Sequence, residues 1–158
     1  MPRDLEAAAL LSARLPRPLV FTNGVFDVLH AGHVFCLEEA RRHGRSLVVG
    51  INGDASARRL GKGPGRPVND EDARQRIVAA LSAVSATLLF DEDTPLELLQ
   101  RLRPDVYVKG GDYAAARLAE AEMVSRWGGC TVIVPRAAGA VSTSSIIQRI
   151  RALGSAGA

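Results

Sequence analysis

A doubly wound α/β fold built on five parallel strands is predicted by two features of the chain. Short, uninterrupted apolar runs alternate with segments of helical period, which is the pattern of a parallel sheet covered on both faces and joined by right-handed crossovers. Almost every polar or glycine cluster also follows the carboxyl end of one of those runs, where open α/β sheets bind their ligands at the switch point. At 158 residues the chain makes one domain, 1–158, with a core over about 18–150 that is large enough to fold without staples.

The elements follow in order. Residues 4–13 form a surface helix halted by Pro16 and Pro18. Strand one covers 18–22, and a helix over 32–43 carries Val34, Leu37 and Ala40 on its apolar side. The run Ser46-Leu47-Val48-Val49-Gly50-Ile51 is strand two, closed by Asn52-Gly53-Asp54 and a short helix to Leu60. The segment from Gly61 to Pro67, rich in Gly and Pro, reads as an active-site loop, being too short to link domains. Asn69 or Asp70 caps a helix to Ser82, and strand three lies at 87–90. A helix then starts with Pro95 in its first position, followed by strand four at 105–109, a helix to Trp127, strand five at 130–134 and a last helix from Ser144. Residues 155–158 form a frayed tail.

Composition narrows the function. The chain is 47% hydrophobic and 23% charged, with net charge +3, ordinary for a globular protein. Its cations are arginines except for Lys62 and Lys109. A weakly basic, arginine-rich chain without a dense basic run or a set of stacking aromatics suits phosphorylated small molecules rather than nucleic acid. Nothing is long enough to span a membrane. Cys36 and Cys130 lack ligand spacing and read as buried free thiols, consistent with a reducing, cytoplasmic setting.

The chemistry concentrates at the strand ends. Residues 21–33 run from a strand through a turn into a helix, aiming N–H groups and a helix dipole at one point that suits an anion. Thr22, Asn23, Gly24, Phe26 and Asp27 lie in the turn, and His30 and His33 stand one helical turn apart around Gly32, whose missing Cβ lets a phosphate approach. After strand two come Asn52 and Asp54; after strand four, Lys109, Gly110, Gly111 and Asp112; after strand five, Arg136 and then Ser142, Thr143, Ser144 and Ser145 at a helix start. Lys62 and Arg66 sit in the Gly/Pro loop. Arg74 lies near a helix start, where the dipole disfavours a cation, and this local conflict argues for a role in the site. Asp27 fits either a metal or orienting role or a buried, hydrogen-bonded turn.

The pattern Gly24-x-Phe26-Asp27-x-x-His30-x-Gly32-His33 resembles the signature of the cytidylyltransferase-like nucleotidyltransferases, a Rossmann-like superfamily with a His-x-Gly-His motif. Ser142-Thr143-Ser144-Ser145-Ile146-Ile147 resembles its second, triphosphate-binding signature. Together with Arg66-Pro67-Val68-Asn69, Phe90-Asp91-Glu92-Asp93-Thr94-Pro95 and Val108-Lys109-Gly110-Gly111-Asp112-Tyr113, the chain is most similar to the heptose 1-phosphate adenylyltransferases, in their form without a kinase domain. The segment Arg136-Ala137-Ala138-Gly139 departs from the cytidylyltransferase pattern, and Val141 stands where the heptose enzymes have a small residue.

The resemblance implies transfer of AMP from ATP to D-glycero-β-D-manno-heptose 1-phosphate with release of pyrophosphate. It implies Mg²⁺ bridging phosphate oxygens with few protein ligands, and a homodimer. Within it His30, His33, Lys62 and Arg74 are the catalytic set, acting on phosphates, and the other strand-end residues bind the nucleotide. A cytidylyltransferase acting on glycerol 3-phosphate or a similar small phosphate is the alternative enzyme, and a non-catalytic nucleotide-binding module the alternative class.

Overall fold

Five strands, β1 (Leu19–Gly24), β2 (Ser46–Asn52), β3 (Ala86–Phe90), β4 (Val106–Gly110) and β5 (Cys130–Val134), form one parallel sheet in the order β3-β2-β1-β4-β5. The computed structural model describes residues 4–111, 118–136, 139 and 141–156. From β1 the chain winds outward through β2 to β3, then returns to lay β4 on the other side of β1. The switch point therefore lies at the end of β1, between β2 and β4.

Period-two alternation explains why both faces are covered. Leu19, Phe21 and Val48 turn to one face, Val20, Leu47, Val49 and Ile51 to the other, and all are fully buried. The first face is packed by α1 (Leu5–Arg14), α5 (Leu96–Leu102) and α6 (Ala119–Ser125) through Ala8, Leu98, Leu99, Leu102 and Val124. The second is packed by α2 (Ala31–Arg41) and α4 (Glu71–Ala79) through Leu37, Ala40 and Val78. The short α3 (Asp54–Arg59) follows β2, and α7 (Thr143–Ser155) closes the chain.

Several expectations shift. The helix read as a surface element, α1, enters the core: Ala8 is fully buried, and Leu5, Ala7 and Leu11 pack on the same cluster. Asp4 anchors it by accepting from the backbone N–H of Leu89 at 2.8 Å. β1 continues to Gly24 because its pairing with β2 persists to Ile51. Pro95 is the cap of α5 rather than its first helical residue. α7 runs on through Gly154 to Ser155, into the segment expected to fray. Cys130 is exposed and Cys36 half-buried, so neither is a sealed core thiol.

The loops at the far edge from the site are tied by charge. The Asp105 carboxylate accepts from the Arg17 guanidinium at 2.8 Å and from the Leu19 N–H at 2.6 Å, fixing the entry to β1 beside β4. Leu99, fully buried between α5 and the sheet, sets a test of the packing. Leu99→Ala should lower the unfolding free energy by about 2–5 kcal/mol, measured by urea denaturation.

Candidate functional site

The turn after β1 is shaped by residues 25–30. Phe26 adopts a left-handed backbone (φ 51°), uncommon for a bulky residue, and its ring packs on His33 with centroids 5.3 Å apart. His30 is then the N-cap of α2. Its Nδ1 accepts from the N–H of Gly32 at 3.1 Å, while Nδ1 of His33 accepts from the N–H of His30 at 3.4 Å. The two histidines thus form a reciprocal capping box.

This capping sets the chemistry. With Nδ1 accepting from the backbone, each neutral ring carries its proton on Nε2. The rings stack at 3.8 Å, and both line the cleft above the sheet, so each has an Nε2–H to offer a ligand there. Burial lowers the pKa of both, and for His33, lowered to about 4, the charge of His30 adds to burial. Both are neutral donors at pH 7. A Cβ on Gly32 would stand 2.9 Å from Cε1 and 3.0 Å from Nδ1 of His30, so the glycine makes room for the folded-back imidazole. The space expected for a phosphate at Gly32 is thus occupied by the His30 ring.

Two buried charges fix the surrounding loops. Asp27, 3% exposed, accepts at Oδ1 from the N–H groups of Val68 (2.7 Å) and Asn69 (3.1 Å) and at Oδ2 from Arg66 Nε (2.5 Å). Of the readings open for Asp27, the buried, hydrogen-bonded one is what the structure shows. It moors the Gly/Pro loop beside the histidines.

Arg74 is fully buried. It donates to the carbonyls of Val25 and Asn52, both at 2.7 Å, to that of Asn69 at 3.0 Å, and to Asp54 Oδ1 at 2.7 Å. It does not line the cleft. The expectation that Arg74 contacts phosphate is therefore corrected: strand-end carbonyls and a carboxylate engage its guanidinium, which resolves the conflict with the helix dipole. Asp54, its partner, is likewise outside the cleft lining.

The cleft measures about 590 Å³, within the range of small-molecule sites. At its centre are Thr22, Asn23, Gly24, Phe26, Asp27, His30, Gly32 and His33, with Asn52 beside them and Lys62 exposed at its mouth. Lys109, Gly110, Gly111 and Arg136 line the β4–β5 flank. Gly111 holds φ 116° and donates to Val134 O at 2.9 Å, a conformation that a side chain would strain. Ser142, Thr143 and Ser144 bring the N-terminus of α7 to the cleft. Thr143 Oγ1 donates to Val28 O at 3.2 Å, tying α7 to the turn after β1.

Ser145 is a correction, since its hydroxyl completes the capping box with Ser142 and does not reach the cleft lining. Asp112 and Tyr113 lie outside the described residues. Sequence reasoning missed Glu120, a buried carboxylate on α6 that lines the same cleft. No spacing signal marks it. Among the described residues no three or more His, Cys, Asp or Glu side chains group as a metal site, and no helix is long and apolar enough to cross a membrane.

A doubly wound sheet whose switch point carries two neutral imidazole donors and two converging helix N-termini defines a phosphate-handling transferase. The cytidylyltransferase-like family profile matches residues 21–149, and the chain belongs to that family of nucleotidyltransferases. It is 55% identical to the D-beta-D-heptose 1-phosphate adenylyltransferase of Bordetella bronchiseptica over 81% of this chain and 79% of that protein. It is 53% identical to the bifunctional protein HldE of Magnetococcus marinus over 85% of this chain, which spans 27% of that longer protein. The crystal structure of a lipopolysaccharide core biosynthesis protein from Thermoplasma volcanium superposes with a TM-score of 0.61 at 31% identity, covering 75% of this chain and 95% of that one. The expected fold class and family are thus borne out.

Two measurements follow from the geometry. Because the His33 pKa falls from 6.5 to about 4 on folding, the unfolded chain binds more protons between those values. Stability is then full above pH 6.5 and declines as pH falls toward 4; thermal melts should show this, and His33→Gln should flatten that part of the profile. Arg74→Ala, which leaves Asp54 and three carbonyls without their donor, should cost about 3–5 kcal/mol in urea denaturation.

Proposed function

We propose that this chain transfers AMP from ATP to D-glycero-β-D-manno-heptose 1-phosphate, giving ADP-heptose and pyrophosphate for lipopolysaccharide core biosynthesis. The observation that carries the reading is the pair of Nδ1-capped, neutral histidines on α2 facing the N-terminus of α7 across one cleft. The name borne by the Bordetella relative supports the acceptor and the nucleotide.

The chemistry needs no protein nucleophile. A sugar 1-phosphate is already anionic, and one of its oxygens attacks the α-phosphorus in line with departing pyrophosphate. Catalysis is positioning plus stabilisation of the charge that spreads over the phosphate oxygens. Nε2–H of His30 and His33 donate to oxygens on the α- and β-phosphates. Lys62 supplies positive charge at the outer phosphates from the loop that Asp27 moors. The first-turn N–H groups of α7, with Ser142 and Ser144, cradle the triphosphate, and Arg136 flanks it.

Magnesium, if bound with the nucleotide, would add positive charge at the phosphates, and no described residue is assigned to hold it. Asp27 does not fit a protein-held ion, because both of its oxygens accept from Arg66 and backbone N–H groups. A cytoplasmic homodimer belongs to the same reading; sedimentation should then give twice the 16.8 kDa chain mass.

Pyrophosphate release with the β-anomer of heptose 1-phosphate should occur with ATP and not with CTP; release with CTP alone would refute the reading. In that assay His33→Ala should lower kcat by about 10²-fold while remaining folded. An unchanged kcat would remove His33 from the reacting centre.

A further inference from the structure

Two asparagines stand at the strand ends beside the histidines, and buried neighbours hold their amides in opposite senses. Asn52, at the end of β2, is buried yet lines the cleft. Its Nδ2 donates to Ser56 Oγ at 3.0 Å, and the Ser56 hydroxyl donates to the carbonyl of Glu92 at 2.9 Å. A serine hydroxyl has a single proton, and here it is committed to a carbonyl. Ser56 Oγ therefore accepts from Asn52, which fixes the amide and leaves Oδ1 as the group turned to the cleft. Among the described residues nothing donates to that oxygen, and it stays accessible.

Asn23, near the end of β1, is held the other way. The Tyr107 hydroxyl donates to its Oδ1 at 2.9 Å, from a fully buried ring stacked on Phe21. Its Nδ2 has no acceptor among the described residues and is left for the cleft that Asn23 lines. The register puts both side chains on one face. Asn23 pairs with Gly50, two residues before Asn52 on the adjoining strand, and side chains alternate with period two. One amide donor and one amide acceptor thus meet at the same corner of the cleft.

This polarity selects the ligand group. A phosphate oxygen at neutral pH only accepts, so it would satisfy Asn23 and leave the Asn52 oxygen unmatched. An alcohol both donates and accepts and matches the pair. The histidines and the N-terminus of α7 take the phosphates, and the open backbone of Gly110 and Gly111 lies on the far flank. The corner at β1 and β2 is left to the incoming sugar, whose hydroxyls are of the required kind.

We infer that Asn23 and Asn52 together bind one hydroxyl of the sugar phosphate acceptor. Asn23 donates to the hydroxyl oxygen and Asn52 accepts its proton, while Tyr107 and Ser56 are the positioning residues that fix the two amides. The inference rests on the nucleotidyl-transfer reading above, and it gives to the acceptor two residues that resemblance alone gives to the nucleotide.

Pyrophosphate release by the full chain, with ATP saturating and the sugar phosphate varied, tests it. The variants are Tyr107→Phe, Ser56→Ala and Asn52→Ala, and the acceptors are heptose 1-phosphate and a set of its monodeoxy analogues. The wild type should lose about tenfold or more in kcat/KM with one of the analogues, because the buried amides are then left unmatched. Each variant should raise the KM for heptose 1-phosphate by about three- to tenfold, leave the KM for ATP unchanged and lose the discrimination against that same analogue. A general loosening of the fold would not erase a preference for one hydroxyl. Thermal melts confirm folding, and either positioning variant carries the test if the other unfolds.

Folded variants with unchanged discrimination would overturn the inference, as would a wild type indifferent to every deoxy analogue. So would a rise confined to the KM of ATP, because the amides would then serve the nucleotide. If the wild type is silent with heptose 1-phosphate but turns over glycerol 3-phosphate with CTP, the reaction proposed above fails. The amides are then judged on the deoxy analogues of glycerol 3-phosphate, where lost discrimination in the variants sustains them and retained discrimination refutes them. Silence with both acceptors would refute both readings.

Discussion

A buried guanidinium holds the mouth of this sheet in shape. The carboxyl ends of parallel strands leave carbonyls with no further strand partner, and the turns leaving β1 and β2 must diverge without exposing them. Arg74 sits between those ends and donates to the carbonyls of Val25 and Asn52, to Asn69 ahead of α4, and to Asp54 at the start of α3. One side chain thereby joins four segments. A charge removed this fully from water is tolerated only because its donors are met in good geometry by carbonyls and a carboxylate. Asp27 does the mirror task with opposite sign, collecting two backbone N–H groups and Arg66 from the loop that follows α3.

The histidines depend on that frame. Their Nδ1 atoms are committed to the backbone of the α2 N-terminus, and the left-handed turn at Phe26 lays an aromatic ring against His33. Orientation, tautomer and charge state are all set before any ligand arrives. Such a site lowers a barrier by having its dipoles already aimed. The half-buried Cys36 beside it belongs to the environment rather than the reaction: burial pushes its thiol pKa up, away from the thiolate that nucleophilic chemistry needs.

Much of this could be read from the chain. Uninterrupted apolar runs such as Leu47–Ile51 mark buried parallel strands because both faces of the sheet are covered, and the three-residue spacing of His30 and His33 across Gly32 marks a helix start aimed at an anion. Arg74 was legible as anomalous but not as what it is. A cation in the first turns of a helix signals that something compensates it, yet the compensating groups are strand-end carbonyls and Asp54, which only the fold brings together. Ser142 and Ser145 show a related ambiguity, since the residues that cap a helix are of the same type as those that hold a phosphate. Of the two, Ser142 reaches the cleft while it caps. Glu120 carried no signal at all, because its burial depends on α6 packing across β4 and β5 rather than on any neighbour in sequence.

In the proposed reaction a preorganised pair of neutral donors stabilises direct attack of one phosphate on another, with no enzyme-bound intermediate. The stereochemical course at the α-phosphorus tests this directly. With a single diastereomer of ATP bearing sulfur on the α-phosphorus and heptose 1-phosphate as acceptor, one in-line displacement must give inverted configuration in the sugar nucleotide product. Retention would mean two displacements and a covalent enzyme intermediate, and the role assigned here to the histidines would not survive it.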